Sequence, residues 1–310
     1  MLHPPSGVPG PVQVLRDDPG RDALWPKAKE DVFMIIDCHV HLVSEEGYID
    51  RLIAEIDRLK IDRICLLAMQ NIRFWGSRAA TNDQLMAAFR KYPDRVIPFA
   101  YVDLGVDPVT LIDDCAMQGF KGLKITRTRY AYNDDRLMPY YERAAAYGMV
   151  LLFHTGTVLR VEEDMYYDVD SSRLRPVYLD RVARRFPTLK IIGAHLGNPW
   201  YEEAAMTLFW NANLYFDLSG TTLARKDAAW FNEVLWWTPE RMARLAGSPD
   251  THYARSNPFD RICFGSDVPI REMGGCLEGY QRLFDGLGLP EEVRRRVMGG
   301  NVAAMFGLKG

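Results

Sequence analysis

Two histidines spaced two apart, His39 and His41, end the short apolar run Met34-Ile35-Ile36-Asp37-Cys38-His39-Val40-His41. On a strand, residues i and i+2 point to one face, so both imidazoles can address a single point in space. Neutral imidazole is the commonest protein ligand for zinc and related metals, and two on one rigid strand make half a tetrahedral site. The plain alternative is a polar pair at a strand end. Further ligands brought to the same place by the rest of the chain decide between the two.

From Met34 onward the chain alternates between two patterns. Short apolar runs at 61–69, 96–103, 122–126, 149–154, 189–195, 214–218 and 261–267 are rich in β-branched and aromatic residues, as strands buried on both faces are. Between them, 48–60, 82–91, 108–118, 137–147, 174–186, 201–211, 228–246 and 276–286 read as helices with one apolar face. Asp107-Pro108 predicts a helix cap followed by a first-turn proline, and Gly119 and Gly148 sit where helices should stop. With the first strand counted, eight strands are each followed by a helix. The spacing from His39 to Asp267 is about 33 residues per unit, close to the roughly 31 of a 250-residue eightfold barrel. The pattern therefore predicts an α/β fold, a parallel (β/α)8 TIM barrel closed by right-handed crossovers. A doubly wound open sheet is the rival, but it usually carries a glycine-rich phosphate loop where this chain has histidines.

Two segments fall outside that rhythm. Residues 1–33 hold six prolines with little periodicity, which excludes helix interior and central strand and predicts an extended N-terminal arm before a catalytic domain at 34–310. The segment between the seventh and eighth strands, 223–260, is enlarged and carries Trp230, Trp236 and Trp237. It reads either as a longer outer helix packed on the barrel or as a lid or subunit contact forming a homodimer.

Composition narrows the function. Apolar residues are 48% and charged residues 25%, the profile of a globular protein with a sizeable core. A net charge of −3 argues against a nucleic-acid surface. The five cysteines are scattered, without a C-x-x-C pair, as reduced thiols in a cytoplasmic protein would be. No apolar run reaches the roughly 18 residues of a membrane span, and prolines stand where a secretory signal needs a basic and then an apolar stretch.

In such a barrel, functional residues sit at the C-terminal ends of the strands. Those ends carry His39 and His41, Lys124, His154, His195 and Asp267, so four of the chain's six histidines face one mouth. A lone His154 would most simply be a satisfied core residue. Four histidines converging with an aspartate point to a metal centre.

The set resembles the amidohydrolase superfamily, in the amidohydrolase-related branch that includes aminocarboxymuconate-semialdehyde decarboxylase. The resemblance spans residues 34 to about 307. It rests on Asp37-Cys38-His39-Val40-His41, Phe153-His154-Thr155-Gly156, Gly193-Ala194-His195-Leu196-Gly197 and Phe264-Gly265-Ser266-Asp267-Val268-Pro269, with Gly300–Leu308 similar to the family's last helix. It implies that His39, His41, His154 and Asp267 hold one divalent metal, zinc first and manganese as the alternative. It also implies that His195 is the acid/base, with Asp267 sharing that role. Lys124 is a fork: in binuclear members a carboxylated lysine on the fourth strand bridges two metals, and His195 would then bind the second. The branch is typically mononuclear and often has histidine two residues after this lysine, where this chain has Thr126.

Arg73, Arg127 and Tyr130 are candidates for holding a small carboxylate-bearing substrate, since a guanidinium fork suits a carboxylate; solvated loop residues are the alternative. Two reactions stay open. One is hydrolysis of an amide, ester or lactone by an activated water, with His195 and Asp267 handling protons. The other is non-oxidative decarboxylation of an aromatic or muconate-type acid. Several decarboxylases of the branch carry Glu-x-His where this chain has His39-x-His41, which favours hydrolysis. A third reading is a metal-binding barrel without catalysis.

Overall fold

The computed structural model describes residues 33–69, 72–166, 168–235 and 258–308. Eight strands form one sheet: β1 (Ile36–His41), β2 (Arg63–Leu67), β3 (Val96–Tyr101), β4 (Gly122–Ile125), β5 (Val150–Phe153), β6 (Lys190–Gly193), β7 (Leu214–Asp217) and β8 (Ile262–Cys263). They are hydrogen-bonded in chain order and every pair is parallel. Two backbone bonds join the ends of the sheet: the Cys38 amide donates to Phe264 O at 2.9 Å, and the Asp267 amide to His39 O at 2.8 Å. The predicted TIM barrel is what forms.

The interior divides into two levels. Below, Ile36, Cys65, Phe99, Val150, Ile192 and Tyr215 fill the tube, and the C-terminal helix (Asn301–Phe306) plugs it, with the Phe306 ring 6.1 Å from that of Phe99. Above, the inward positions turn polar. The change of phase on β1 has a local cause: Asp37 pairs with Ile64 and Val40 with Leu66, so Cys38 and His39 together oppose Cys65. That one-residue bulge places Cys38 in the apolar floor and lets His39 and His41 face the mouth.

Within the described residues the outer layer follows the predicted helices, with differences at their ends; the helix expected over 228–246 lies outside them from residue 236 on. The third helix begins at Leu111 rather than 108. Asp107 does not cap it; its carboxylate accepts from the Asp103 amide at 2.8 Å and closes a turn ahead of the helix. Gly119 does end that helix, in a left-handed conformation. The eighth strand is shorter than expected, and residues 264–269 continue as a loop that carries Asp267.

The long excursion between β7 and β8 begins with helices Thr221–Arg225 and Ala228–Leu235. Trp230 lies edge-on to Tyr201, 4.7 Å between centroids, with Lys226 above its ring. Trp236 and Trp237 lie outside the described residues, as does the proline-rich arm over residues 1–32. Among the described residues no helix is long and apolar enough to cross a membrane.

Gly122 shows how tightly the tube is filled: a Cβ there would lie 2.4 Å from the Phe99 ring and 2.5 Å from Val150 O. Gly122→Ala is expected to destabilise the chain by roughly 1–3 kcal/mol through overpacking, read as a lower urea midpoint at unchanged slope.

Candidate metal centre

Three side chains meet at the mouth. His39 Nε2 is 3.2 Å from His41 Nε2, and Asp267 Oδ1 is 3.3 Å from His41 Nε2 and 3.7 Å from His39 Nε2. Lys124, fully buried on β4, sets its Nζ 3.0 Å from His39 Nε2. The other nitrogen of His39 decides the proton. Nδ1 faces Asp217 Oδ2 at 2.9 Å, and a carboxylate only accepts, so Nδ1 carries the hydrogen and Nε2 presents a lone pair. The His39 lone pair, the His41 imidazole and a carboxylate thus converge on one point. Such a donor set suits a divalent cation, and the ring held by a carboxylate behind it is the arrangement that orients metal-binding histidines.

The electrostatics agree. Burial favours raising the Asp267 pKa, but the imidazoles of His39, His41 and His195 outweigh it and hold the carboxyl well below its ordinary range. Burial lowers His41 to about 4 against the pull of Asp267, so the ring is neutral at pH 7. Burial likewise lowers Lys124, to about 8. Asp37 at the base of β1 accepts from the His39 and Ser266 amides, both at 3.0 Å, and so ties the two ligand-bearing segments together. Burial pushes its carboxyl up to about 6.

His154 and His195 stand beside this cluster, their ring centroids 4.8 Å apart. His154 lines the same cavity, but its Nε2 is turned to Thr157 O at 3.2 Å, so the tight cluster consists of His39, His41 and Asp267. His195 points Nε2 at Asp267 Oδ2, 3.5 Å away. It enters from a turn after β6 in a left-handed conformation, φ +63°, and burial lowers its pKa.

The cavity above these groups has a volume of about 120 Å³. Met69, Ile72, Trp75, Val158, Leu159 and Val161 make its apolar wall, with Lys124 and Arg127 as its cationic side. Arg127 also binds Asp164 Oδ1 at 3.1 Å and Leu159 O at 2.7 Å, so it anchors the loop after β5 as well as lining the cavity. Two candidates are not brought to the cavity. Arg73 sits exposed on a small hairpin, Arg73–Phe74 against Ser77–Arg78, and is not among the residues that line the cavity, although Ile72 and Trp75 beside it are. The Tyr130 ring is occupied elsewhere, under the Arg136 guanidinium at 3.5 Å. Sequence reading missed Asp217 and Trp75, whose ring lies 6.0 Å from that of His41. Asp217 had a signal: it ends the apolar run Leu214-Tyr215-Phe216-Asp217, the strand-end position that carries chemistry elsewhere in the barrel.

A family model described as amidohydrolase matches residues 36–308. The chain belongs to the amidohydrolase family. The resemblance drawn from the strand-end motifs holds, and the family's fold implies a divalent metal that the His39–His41–Asp267 cluster fits. No curated protein sequence matches the chain. Among solved structures it is similar to 5-carboxyvanillate decarboxylase from Sphingomonas paucimobilis, at 15% identity and a TM-score of 0.58 over 89% of this chain and 100% of that one. It is also similar to a manganese-bound dihydroxybenzoic acid decarboxylase from Polaromonas sp. JS666, at 16% identity and a TM-score of 0.56 over 89% and 97%. A third similar structure is a probable 2-pyrone-4,6-dicarboxylic acid hydrolase from Acinetobacter baumannii with citric acid bound, at 14% identity and a TM-score of 0.55 over 88% and 99%. At these identities the likeness is one of fold.

Asp217→Asn removes the charge that fixes His39 while keeping the volume of the side chain. Metal affinity is expected to fall about 10–100-fold, measured by competition with a chelating dye, with the far-ultraviolet circular dichroism unchanged.

Proposed function

We propose that the chain is a metal-dependent hydrolase that cleaves an amide, ester or lactone in a small carboxylate-bearing substrate. One observation carries this reading: Asp267 turns Oδ1 to the paired histidines and Oδ2 to His195 Nε2. A single carboxylate therefore borders both the metal cluster and a neutral imidazole. His39, His41 and Asp267 would hold the cation, with His154 beside them, and zinc is the ion such nitrogen and oxygen donors suit, manganese the alternative. Bound there, a divalent ion acidifies water and polarises a carbonyl.

The chain's own groups supply the rest. Asp267 accepts a proton from water at the cluster and passes it from Oδ2 to His195 Nε2. His195 then returns it to the leaving nitrogen or oxygen as general acid. Lys124 and Arg127 give the cavity a positive side for a substrate carboxylate, and Trp75 with the Val158–Val161 wall keeps bulk water from the reacting carbonyl.

Decarboxylation of an aromatic acid is the second reading, favoured by the apolar wall that includes Trp75 and by the decarboxylases among the similar structures. His195 would then protonate a ring carbon. The His39-x-His41 pair, where several decarboxylases of the branch have Glu-x-His, supports hydrolysis. Parallel assays for acid release from lactones and amides and for CO₂ release from aromatic acids, on one preparation, test the choice. Acid release without CO₂ is expected, and CO₂ release alone would overturn the hydrolytic reading.

His195→Asn is expected to keep the metal content of the parent while turnover falls about 10²–10⁴-fold. Loss of metal together with turnover would make His195 a ligand instead. Chelation should abolish turnover and leave the barrel folded, because the core beneath the site is apolar and separate from it.

A further inference from the structure

The end of β7 and the segment after it, Asp217-Leu218-Ser219-Gly220-Thr221-Thr222, wrap His195 and leave its Nε2 facing Asp267, 3.5 Å from Oδ2. The His195 amide donates to Asp217 Oδ1 at 2.8 Å, and its carbonyl accepts from Thr222 Oγ1 at 2.8 Å. The ring nitrogen Nδ1 lies 2.9 Å from Ser219 Oγ and 3.4 Å from Ser219 O. Gly220, at φ +68°, lets this backbone come close: a Cβ there would sit 3.2 Å from His195 Nδ1.

The direction of the Ser219 hydroxyl follows from its other partner. Ser219 Oγ lies 2.5 Å from Asp217 Oδ1, and a carboxylate cannot donate, so the hydroxyl hydrogen points to Asp217. What Ser219 Oγ offers His195 is therefore a lone pair, and Ser219 O offers another. Both can only receive a hydrogen from Nδ1, and Ser219 Oγ at 2.9 Å is the nearer acceptor, since Asp267 Oδ2 stands 3.5 Å from Nε2. We propose that Ser219, oriented by Asp217, is a positioning residue that fixes His195 with its hydrogen on Nδ1 and its lone pair on Nε2, facing Asp267. Because Asp217 Oδ2 also holds Nδ1 of His39, one buried carboxylate sets the tautomer of the cluster histidine directly and of the acid/base histidine through Ser219. The two rings, 5.4 Å apart, then present their lone pairs to the same mouth.

The catalytic consequence rests on the acid/base reading of His195, whereas the tautomer itself does not. With the hydroxyl gone, Ser219 O at 3.4 Å is the remaining acceptor at Nδ1, a long contact that lets the ring populate the other tautomer as well, which puts a hydrogen where Asp267 must deliver one. A wrong tautomer removes the base without moving any heavy atom.

The test uses the full chain loaded with zinc, a diamagnetic ion, with ¹⁵N-labelled histidine and His195→Asn to assign its signals. Long-range ¹H–¹⁵N spectra read the tautomer directly. In the parent, His195 is expected as the Nδ1–H form, and finding Nε2–H there overturns the proposal without any variant. Ser219→Ala is expected to shift His195 to a mixture of forms and lower kcat about 10–100-fold, with KM and zinc content little changed. Ser219→Thr, which keeps the hydroxyl, should restore the Nδ1–H form. An unchanged tautomer in folded Ser219→Ala overturns the role of Ser219. A shifted tautomer with undiminished turnover supports the role of Ser219 and overturns the acid/base role of His195 instead.

Discussion

A carboxylate with no solvent contact costs several kcal/mol to bury unless its oxygens are filled by donors, and Asp217 is such a group. Oδ2 takes the Nδ1 hydrogen of His39, and Oδ1 takes the His195 amide, the Ser219 amide and the Ser219 hydroxyl. Burial would raise its pKa, but His39 and His195 more than offset this, and the carboxyl stays ionised throughout the neutral range. The negative charge is thus compensated by two of the histidines at the mouth. Around Asp217 the site and its support form one network in which both carboxylate oxygens are filled by donors, the condition under which a buried charge rigidifies its surroundings.

Barrel closure and site assembly are the same event. The bond from the Asp267 amide to His39 O joins the last strand's extension to the first, and it also delivers the Asp267 carboxylate to the paired imidazoles. Asp37 reinforces the seam by accepting from both His39 and Ser266. The polar ring therefore sits on a tube of apolar side chains, and His39, His41 and Asp267 converge because two backbone bonds hold the first and last segments of the sheet together.

Much of this was legible from the chain alone, for a physical reason. A strand buried on both faces must be short and apolar, so a histidine or aspartate ending such a run stands out, and His39, His41, Lys124, His154, His195 and Asp267 were found that way. What escaped depends on departures from regular geometry. The bulge at Cys38 and His39 changes the strand's phase and leaves no mark in the hydrophobic pattern. His195 reaches the mouth through a left-handed turn rather than through strand alternation. Arg73 followed the second strand closely in sequence, but a two-residue hairpin carried it out to solvent, and loop direction is not written in residue type. Asp107 looked like a helix cap, yet a turn reached its carboxylate first.

The left-handed residues show how the site is held against its own strain. Arg127, His195 and Asp267 have φ of +50°, +63° and +48°, a region that non-glycine residues occupy at a cost of roughly 1–3 kcal/mol each. Each is held there by bonds on separate elements. Arg127 is fastened to the loop after β5, His195 to the segment after β7, and Asp267 to β1. These backbones accompany polar side chains at the mouth: Arg127 and Asp267 line the cavity, and His195 Nε2 lies 3.5 Å from Asp267 Oδ2. The strain is sustained by a scaffold whose stability comes from the apolar layers below and from the helix-packed outer core, so the mouth can carry unfavourable backbone without weakening the fold that supports it.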